Sequence, residues 1–292
     1  MISIIIPFYN EEKNIPILLQ EIDEVMRKEN KPFEVVLVDD GSEKKIQTPN
    51  SNSIKLIEHK KRMGKGEALK TGMSHANGNI IIFMDGDLQD DPHDFPSFFA
   101  KLEDGYDLVN GIRSKRKDTG IIQLYSHLAN SVLRNIFKSP FTDINCGFKA
   151  FKREVLENMP LYGNNFRFLP LSAYYQGFKV AEIPVNNRKR IHGESKFGMS
   201  KLFIGLLDMT TAYFVFKFAE RPLHFFGTMG GILFSAGFFI SLYLAYERIF
   251  FNVLLYRRPL LQLGIVLIIV GIQIVMTGLI GELIVYLNKN KK

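Results

Sequence analysis

Over the first 110 residues, short runs of Ile, Val, Leu and Phe alternate with longer amphipathic stretches. Positions 2–6, 33–38, 54–58, 80–84 and 107–111 are compact apolar runs bounded by turn residues, the pattern of buried strands. Between them, 12–28, 66–76 and 95–103 have helical spacing or composition. Strands and helices in this order predict an α/β domain with a mostly parallel, doubly wound sheet, whose ligands bind beyond the carboxyl ends of the strands. The polar segments after the strands are then the place to look for chemistry. They are Pro7-Phe8-Tyr9-Asn10-Glu11, Asp39-Asp40-Gly41-Ser42, His59 with the Lys-Arg stretch after it, and Asp85-Gly86-Asp87-Leu88-Gln89.

The pattern changes toward the C-terminus. Residues 223–246 contain no full charge and 260–287 only Glu282, and each run is long enough to cross a hydrocarbon core of about 30 Å. The short connector 247–259 makes them a hairpin with both chain ends on one side. Two buried helices of a soluble protein are the competing reading, which the length of the runs disfavours. Gly227, Gly230, Gly231 and Gly237 in the first run, and Gly264, Gly271, Gly278 and Gly281 in the second, permit close helix packing and are compatible with a homo-oligomer. The stretch 197–219 mixes apolar residues with Lys201, Asp208 and Lys217, which suits helices lying at the headgroup level. Just before it, Arg188, Lys189, Arg190, His192 and Lys196 face a single Glu194, a basic cluster suited to anionic lipid. The expected division is a domain over 1–196, an interfacial segment over 197–222 and a membrane unit over 223–292.

Charge sharpens this division. The chain has 292 residues with 37 Lys and Arg and 30 Asp and Glu, yet only Glu247, Arg248, Arg257, Arg258 and Glu282 fall within 223–287. The rest has an ordinary soluble proportion of charge, which excludes a disordered tail protein and a polytopic transporter. Cys146 is the only cysteine, so neither an intrachain disulfide nor a cysteine-based zinc site can form. The opening Met1-Ile2-Ser3-Ile4-Ile5-Ile6-Pro7 is too short for a signal-peptide core and lacks a basic leader. Lys289, Lys291 and Lys292 favour a cytoplasmic C-terminus, while Arg248, Arg257 and Arg258 in the connector pull the other way. With the leader argument weighing more, the N-terminal domain and both termini are expected in the cytoplasm, anchored to the cytoplasmic membrane. The net charge of +7 is accounted for by membrane-proximal cations and does not call for nucleic acid.

Asp85 and Asp87 share a loop after an Ile-Ile-Ile-Phe-Met run, and Gln89 adds another oxygen. Clustered hard oxygens suit Mg²⁺ or Mn²⁺, ions that complete their shell with water and substrate phosphates, so a diphosphate is the expected ligand. With Asp39 and Asp40 at another strand end, four carboxylates would share one rim, and their repulsion calls for a cation. Gly64-Lys65-Gly66 lacks the glycine spacing and Lys-Ser/Thr ending of a Walker A loop, so a nucleoside triphosphatase is not supported.

Taken in order, these segments resemble the family 2 glycosyltransferases of the GT-A fold, and within them the polyprenyl-phosphate glycosyltransferases, a group that includes dolichol-phosphate mannose synthases and bacterial undecaprenyl-phosphate sugar transferases. The resemblance covers nearly the whole chain. It rests on Ile5-Ile6-Pro7-Phe8-Tyr9-Asn10-Glu11, Val38-Asp39-Asp40-Gly41-Ser42, Gly64-Lys65-Gly66, Asp85-Gly86-Asp87-Leu88-Gln89 with Asp91-Pro92, Asp143, Gly147-Phe148-Lys149, His192-Gly193-Glu194-Ser195-Lys196-Phe197 and Arg258-Pro259-Leu260. Lys149 stands where the family often has Arg.

The resemblance implies that Pro7, Tyr9, Glu11 and Asp39 hold the nucleoside of a UDP- or GDP-linked sugar, with Asp40 and Asp85 near the ribose and diphosphate. It implies that Asp85, Asp87 and Gln89 bind Mg²⁺ or Mn²⁺, that Asp143 and Asp87 are the catalytic carboxylates, and that Lys196, Arg188, Arg113 and Arg134 are candidates for the acceptor phosphate. A phosphate monoester with a second pKa near 6 is already largely ionised at neutral pH, so it needs cations for alignment more than it needs a general base. The reading is therefore direct, inverting displacement by the phosphate of a membrane polyprenyl phosphate, with Asp143 as a positioning group. Three alternatives make different demands on the chain. A processive polysaccharide synthase is opposed by the absence of Trp, which its acceptor motif requires. A membrane-tethered transferase acting on a glycan or protein would tolerate loss of the basic cluster. A non-catalytic membrane accessory protein would tolerate loss of Asp85 and Asp87.

Overall fold

The computed structural model describes residues 1–46, 53–113, 141–143, 146–157, 165–188, 221–252, 254 and 259–289, with the single helical positions 211, 214 and 218. It divides into two compact units, Met1–Ile204 and Gly205–Lys292. Most of the expected interfacial segment lies outside the described residues.

In the first unit, strands β1 (Ile2–Phe8), β2 (Phe33–Asp39), β3 (Ile54–Glu58), β4 (Ile80–Phe83), β5 (Leu108–Arg113), β6 (Lys149–Lys152) and β7 (Val180–Val185) form one sheet in the order β3-β2-β1-β4-β6-β5-β7. All pairings are parallel except those of β6, which runs antiparallel to β4 and β5. Every residue of β1 is buried, as a central strand covered on both faces requires. Helix α1 (Asn14–Glu29) buries Ile15, Leu18, Leu19, Ile22, Val25 and Met26, one stripe at helical spacing. It stops at Asn30, whose left-handed φ of 50° closes the last turn. Helix α3 (Phe95–Glu103) joins α1 on this face, where Phe98 meets Phe148 at 4.6 Å between ring centroids. Helix α2 (Lys65–His75) packs on the other face, with Gly72 against Ile5.

The hydrophobic pattern does not predict β6. Its four residues begin and end in lysine, and they become a strand through pairing on both sides, with Ala150 opposite Ile82 and Val109. Because β6 opposes both neighbours, β4 and β5 point the same way and their carboxyl ends share one rim. Away from that rim, Glu34 of β2 accepts from Ser3 Oγ at 2.7 Å, Lys55 Nζ at 2.7 Å and Asn77 N at 2.5 Å. Burial would raise its carboxyl, but these donors hold it down at about 2.

The second unit is built on helices α5 (Pro222–Phe251) and α6 (Pro259–Lys289); a shorter α4 (Leu169–Tyr175) belongs to the first unit. Both long helices have the length and composition to cross a membrane, with mean hydropathies of 1.7 and 2.6 over their most apolar stretches. Only 11% and 17% of those stretches are buried, unlike the core helices of a soluble protein. Where α5 and α6 meet, a Cβ on Gly230 would lie 2.6 Å from Gly271 O, and one on Gly237 2.5 Å from Gly264 O. Gly264, Gly271 and Gly278 recur every seven residues, as do Gly230 and Gly237, so the two backbones touch along a seam of heptad period. Glu282 caps this pair: its Oε2 accepts from Leu223 N, in the first turn of α5, at 3.3 Å.

Candidate active site

The chain leaves β1 for β2 and β3 on one side, then returns to place β4 on the other side of β1. Strand order therefore reverses beside β1, and a crevice opens at such a point. It is an open cleft lined by Pro7 and Phe8 at the end of β1, Tyr9 and Glu11 just after it, Asp40 after β2, Arg62 before α2 and Lys65 at its start, and Asp85, Gly86 and Asp87 after β4.

Its loops are bound to one another. Asn10, at a left-handed φ of 56°, receives Glu43 N at its Oδ1 at 3.0 Å, while its own N–H donates to Ser42 Oγ at 2.9 Å. Asp39 accepts from Ser42 N at 2.8 Å and does not line the cleft. The Asp40 carboxylate accepts from Met63 N and Gly64 N, each at 2.8 Å, and from His59 Nδ1 at 3.0 Å, while His59 Nε2 lies 3.0 Å from Thr71 Oγ1. Asp40 thus seats the loop that carries Arg62 and Lys65. Gly41 lets this loop approach, since a Cβ there would fall 2.7 Å from Arg62 N, and its φ of 78° is itself a glycine conformation. The Arg62 guanidinium stacks over the Tyr9 ring at 4.3 Å.

On the β4 side, Asp85 N donates to the buried Asp90 carboxylate at 3.1 Å, and Gln89 N donates to Asp87 Oδ1 at 3.2 Å. Leu88 takes a left-handed φ of 62° while fully buried, so packing holds this loop in a conformation that a branched residue avoids. Lys65 Nζ forms an ion pair with Asp85 Oδ1. Burial would raise the Asp85 carboxyl, but the charge and hydrogen bond of Lys65, together with the charges of Arg113 and Lys149, lower it. Burial pushes the Asp90 carboxyl up to about 7, with Asp85 adding to the shift.

Asp143 belongs to the same rim, beside the end of β5. Asn110 Nδ2 donates to its carbonyl at 2.8 Å. Arg113 Nε donates to Asp143 Oδ2 at 2.8 Å and Arg113 Nη2 to Oδ1 at 3.0 Å, a bidentate pair with each side chain 19% exposed. Burial acts to raise the Asp143 carboxyl, but Arg113 prevails and it lies below the usual range. Segment 146–149 links this pair to the Lys65–Asp85 pair. A Cβ on Gly147 would stand 3.0 Å from Lys65 Nζ and 3.1 Å from Asp85 Oδ2, and the fully buried Lys149 donates to Cys146 O. Burial lowers the Lys149 ammonium to about 8.

Of the residues expected from sequence, Pro7, Tyr9, Glu11, Asp40, Asp85 and Asp87 line one cleft. The Gln89 side chain is not part of that lining; its carbonyl accepts from Arg188 N at 2.8 Å. Arg188 directs its guanidinium to Glu21, at 2.8 and 2.9 Å, and to Asp91, at 2.5 Å, so its charge ties α1 to the segment after Gln89. Arg134 and Lys196 lie outside the described residues. Arg62, Lys65 and Asp90 are site residues to which sequence reasoning gives no role, although Lys65 stands in the Gly64-Lys65-Gly66 segment that the resemblance includes. The signal available for the first two is their place after β3, in the basic stretch that follows His59. A divalent ion suits the donor chemistry, since Asp85 and Asp87 offer hard oxygens and Asp85 already holds a cationic group. Among the described residues no cluster of three His, Cys, Asp or Glu ligands is present, so much of the ion's shell would come from water and phosphate oxygens, as Mg²⁺ prefers.

The switch point beside β1 and the carboxylate-bearing cleft in front of it define the class, a GT-A-type glycosyltransferase domain. The family model for glycosyl transferase family 2 matches residues 3–159, more than half of the chain, and the chain belongs to that family. It is 31% identical over 97% of its length to the dodecaprenyl-phosphate galacturonate synthase of Rhizobium johnstonii, 87% of which is covered. It is 30% identical, again over 97% of its length, to the undecaprenyl-phosphate 4-deoxy-4-formamido-L-arabinose transferase of an Enterobacter species, with 88% of that protein covered. Among solved structures, glucosyl-3-phosphoglycerate synthase from Mycobacterium tuberculosis in complex with Mn²⁺ and UDP-glucose superposes with a TM-score of 0.54 at 19% identity, covering 73% of this chain and 78% of that one. That likeness supports the fold.

Proposed function

We propose that this glycosyltransferase moves a sugar from a nucleoside-diphosphate sugar to the phosphate of a membrane polyprenyl phosphate, with inversion at the anomeric carbon. The observation that carries the proposal is one rim on which carboxylates and cations alternate, Asp85 with Lys65 and Asp143 with Arg113, in a chain that also has two membrane-length apolar helices. The relatives named for dodecaprenyl- and undecaprenyl-phosphate products match nearly the whole chain, hairpin included.

In this reading Pro7, Tyr9 and Glu11 shape the nucleoside end of the cleft, Asp39 supports them by holding the Ser42 turn, and Arg62 lies over Tyr9 where a base would stack. Asp85 and Asp87 would hold Mg²⁺ or Mn²⁺, with the expected third ligand Gln89 outside the cleft lining, and the ion when bound neutralises charge on the departing diphosphate. Arg113, with Arg134 and Lys196, aligns the acceptor phosphate, whose own charge makes it the nucleophile, while Arg188 keeps its ion pairs with Glu21 and Asp91. Asp143 occupies both its oxygens with Arg113 and holds that guanidinium in place, so it acts by positioning. The catalytic domain and both chain ends face the cytoplasm, where sugar nucleotides are made, and 1–196, 197–222 and 223–292 serve as the catalytic, interfacial and spanning parts.

The test is to incubate purified full-length protein with undecaprenyl phosphate, Mg²⁺ or Mn²⁺, and separately UDP-glucose, UDP-N-acetylglucosamine and GDP-mannose. The expected result is a sugar-phospholipid with released nucleoside diphosphate from at least one donor. Labelling of a soluble acceptor, with no lipid product from any donor, would favour a tethered transferase instead.

A further inference from the structure

Lys65 has two features that a surface lysine lacks. Its anchor is fixed, because Gly64 N is held by Asp40 Oδ2 at 2.8 Å and Lys65 is the first residue of α2. Its ammonium is also enclosed, with the Asp85 carboxylate on one side, the Phe166 ring 5.1 Å away, and the backbone of Gly147 so near that a Cβ there would come within 3.0 Å. Asp85 is held just as firmly through its N–H bond to Asp90. Both partners line the cleft, at 31% and 38% side-chain exposure, so the pair is reachable by a ligand.

We propose that Lys65 is the resident counter-cation of Asp85 in the donor-free protein, and that it moves to the donor's diphosphate when a divalent ion takes its place. The proposal deepens the reading above and rests on its assignment of Asp85 as a metal ligand. The argument is one of charge. A single carboxylate cannot satisfy an ammonium and a dication together, so an ion arriving alone meets a paired Asp85 and the repulsion of Lys65. A diphosphate carries enough negative charge to accept both cations, and its arrival lets the ammonium turn from carboxylate to phosphate. Metal and nucleotide then bind as a unit, and neither fills the site efficiently by itself. Asp87, two positions further along the same loop, accepts from Gln89 N at 3.2 Å.

The test measures Mn²⁺ binding by the loss of free-ion signal in electron paramagnetic resonance. It uses the full-length protein in detergent, first without nucleotide and then with saturating UDP or, separately, GDP. Wild type is compared with Lys65→Met, Lys65→Gln and Asp85→Asn. Without nucleotide, both Lys65 variants are expected to bind Mn²⁺ about two- to fivefold more tightly than wild type, the scale of a partly exposed ion pair. With nucleotide this advantage disappears or reverses, so the mutual strengthening of metal and nucleotide shrinks in both variants. Unchanged or weaker nucleotide-free Mn²⁺ binding in both Lys65 variants, with Asp85→Asn still abolishing it, overturns the exchange and leaves the metal assignment standing. If Asp85→Asn binds Mn²⁺ as wild type does in the presence of nucleotide, the metal assignment itself has failed and the exchange falls with it.

Discussion

Replacing Asp143 by Asn separates a positioning role from a proton-abstracting one, because it leaves the shape and removes the charge. In the native pair both carboxylate oxygens accept from Arg113, at 2.8 and 3.0 Å, and each side chain is 19% exposed. An amide keeps one acceptor and turns an N–H toward the guanidinium, so the fork is lost and Arg113 is freed to swing. Exposed pairs contribute up to about 1 kcal/mol and fully buried pairs cost about 3–5 kcal/mol to break. A pair at this intermediate burial falls at about 2–3 kcal/mol. If all of that appears in the transition state, kcat/KM falls about 30- to 150-fold. Most of the loss should appear in KM for the lipid phosphate, because Arg113 is the group displaced. The assay is steady-state kinetics over roughly pH 5–9, a range that brackets the phosphate's second ionisation, with the lipid acceptor varied. Since Arg113 lowers the Asp143 carboxyl, no limb of the profile in that range should belong to Asp143. An acid limb from the acceptor phosphate, near pH 6, should survive in the variant. Turnover slowed by about four orders of magnitude, the full worth of a general base, with donor and acceptor affinities intact and the acid limb gone, would refute the positioning role and make Asp143 the base.

Three further outcomes follow from the packing. Gly237→Val places a side chain where the α6 backbone already lies 2.5 Å from a Cβ; overpacking of this kind costs about 1–3 kcal/mol, so the variant should lose thermal stability in detergent, while Gly231→Val, which meets nothing within 4 Å, should not. Glu34 has a folded pKa of about 2 against 4.5 for the free group, so its stabilisation, about 3 kcal/mol at most, is present above pH 4.5 and lost as pH falls toward 2. Denaturation of Glu34→Gln should show its deficit near neutral pH and a smaller one at about pH 3, between the two pKa values, and an equal deficit at both would contradict the assignment. Arg62→Ala removes the cation over Tyr9 and should raise the donor KM at least about twofold while leaving the lipid-acceptor KM unchanged.

The strand ends are legible in the sequence because β1, β2 and β4 are apolar runs, interrupted only by Ser3 and Glu34, that stop at polar clusters, and a doubly wound sheet puts those clusters on one rim. That logic alone brings Pro7, Tyr9, Glu11, Asp40, Asp85 and Asp87 together. It cannot see β6, whose lysine-bounded four residues have no strand pattern and acquire one only by pairing with β4 and β5. Nor can it see that Asp40 spends its oxygens on the amides of the Arg62 loop, or that Arg188 is engaged by Glu21 and Asp91 across 167 and 97 positions of chain. Such partners are set by tertiary approach, and one residue's chemistry does not announce them. The glycine seam is the opposite case, since its heptad spacing is present in the sequence and only the facing of α5 and α6 gives that spacing its meaning.

The central claim is that the nucleophile is a phosphate on a membrane lipid. Its most direct test is mass spectrometry of reactions containing equal amounts of undecaprenyl phosphate and undecaprenol, with one productive donor. The account predicts sugar on the phosphate alone, read as a product with the mass of undecaprenyl phosphate plus one sugar residue. Equal labelling of undecaprenol would contradict it, because a hydroxyl acceptor needs a general base, a role that Asp143, with both oxygens bound to Arg113, does not take in this account.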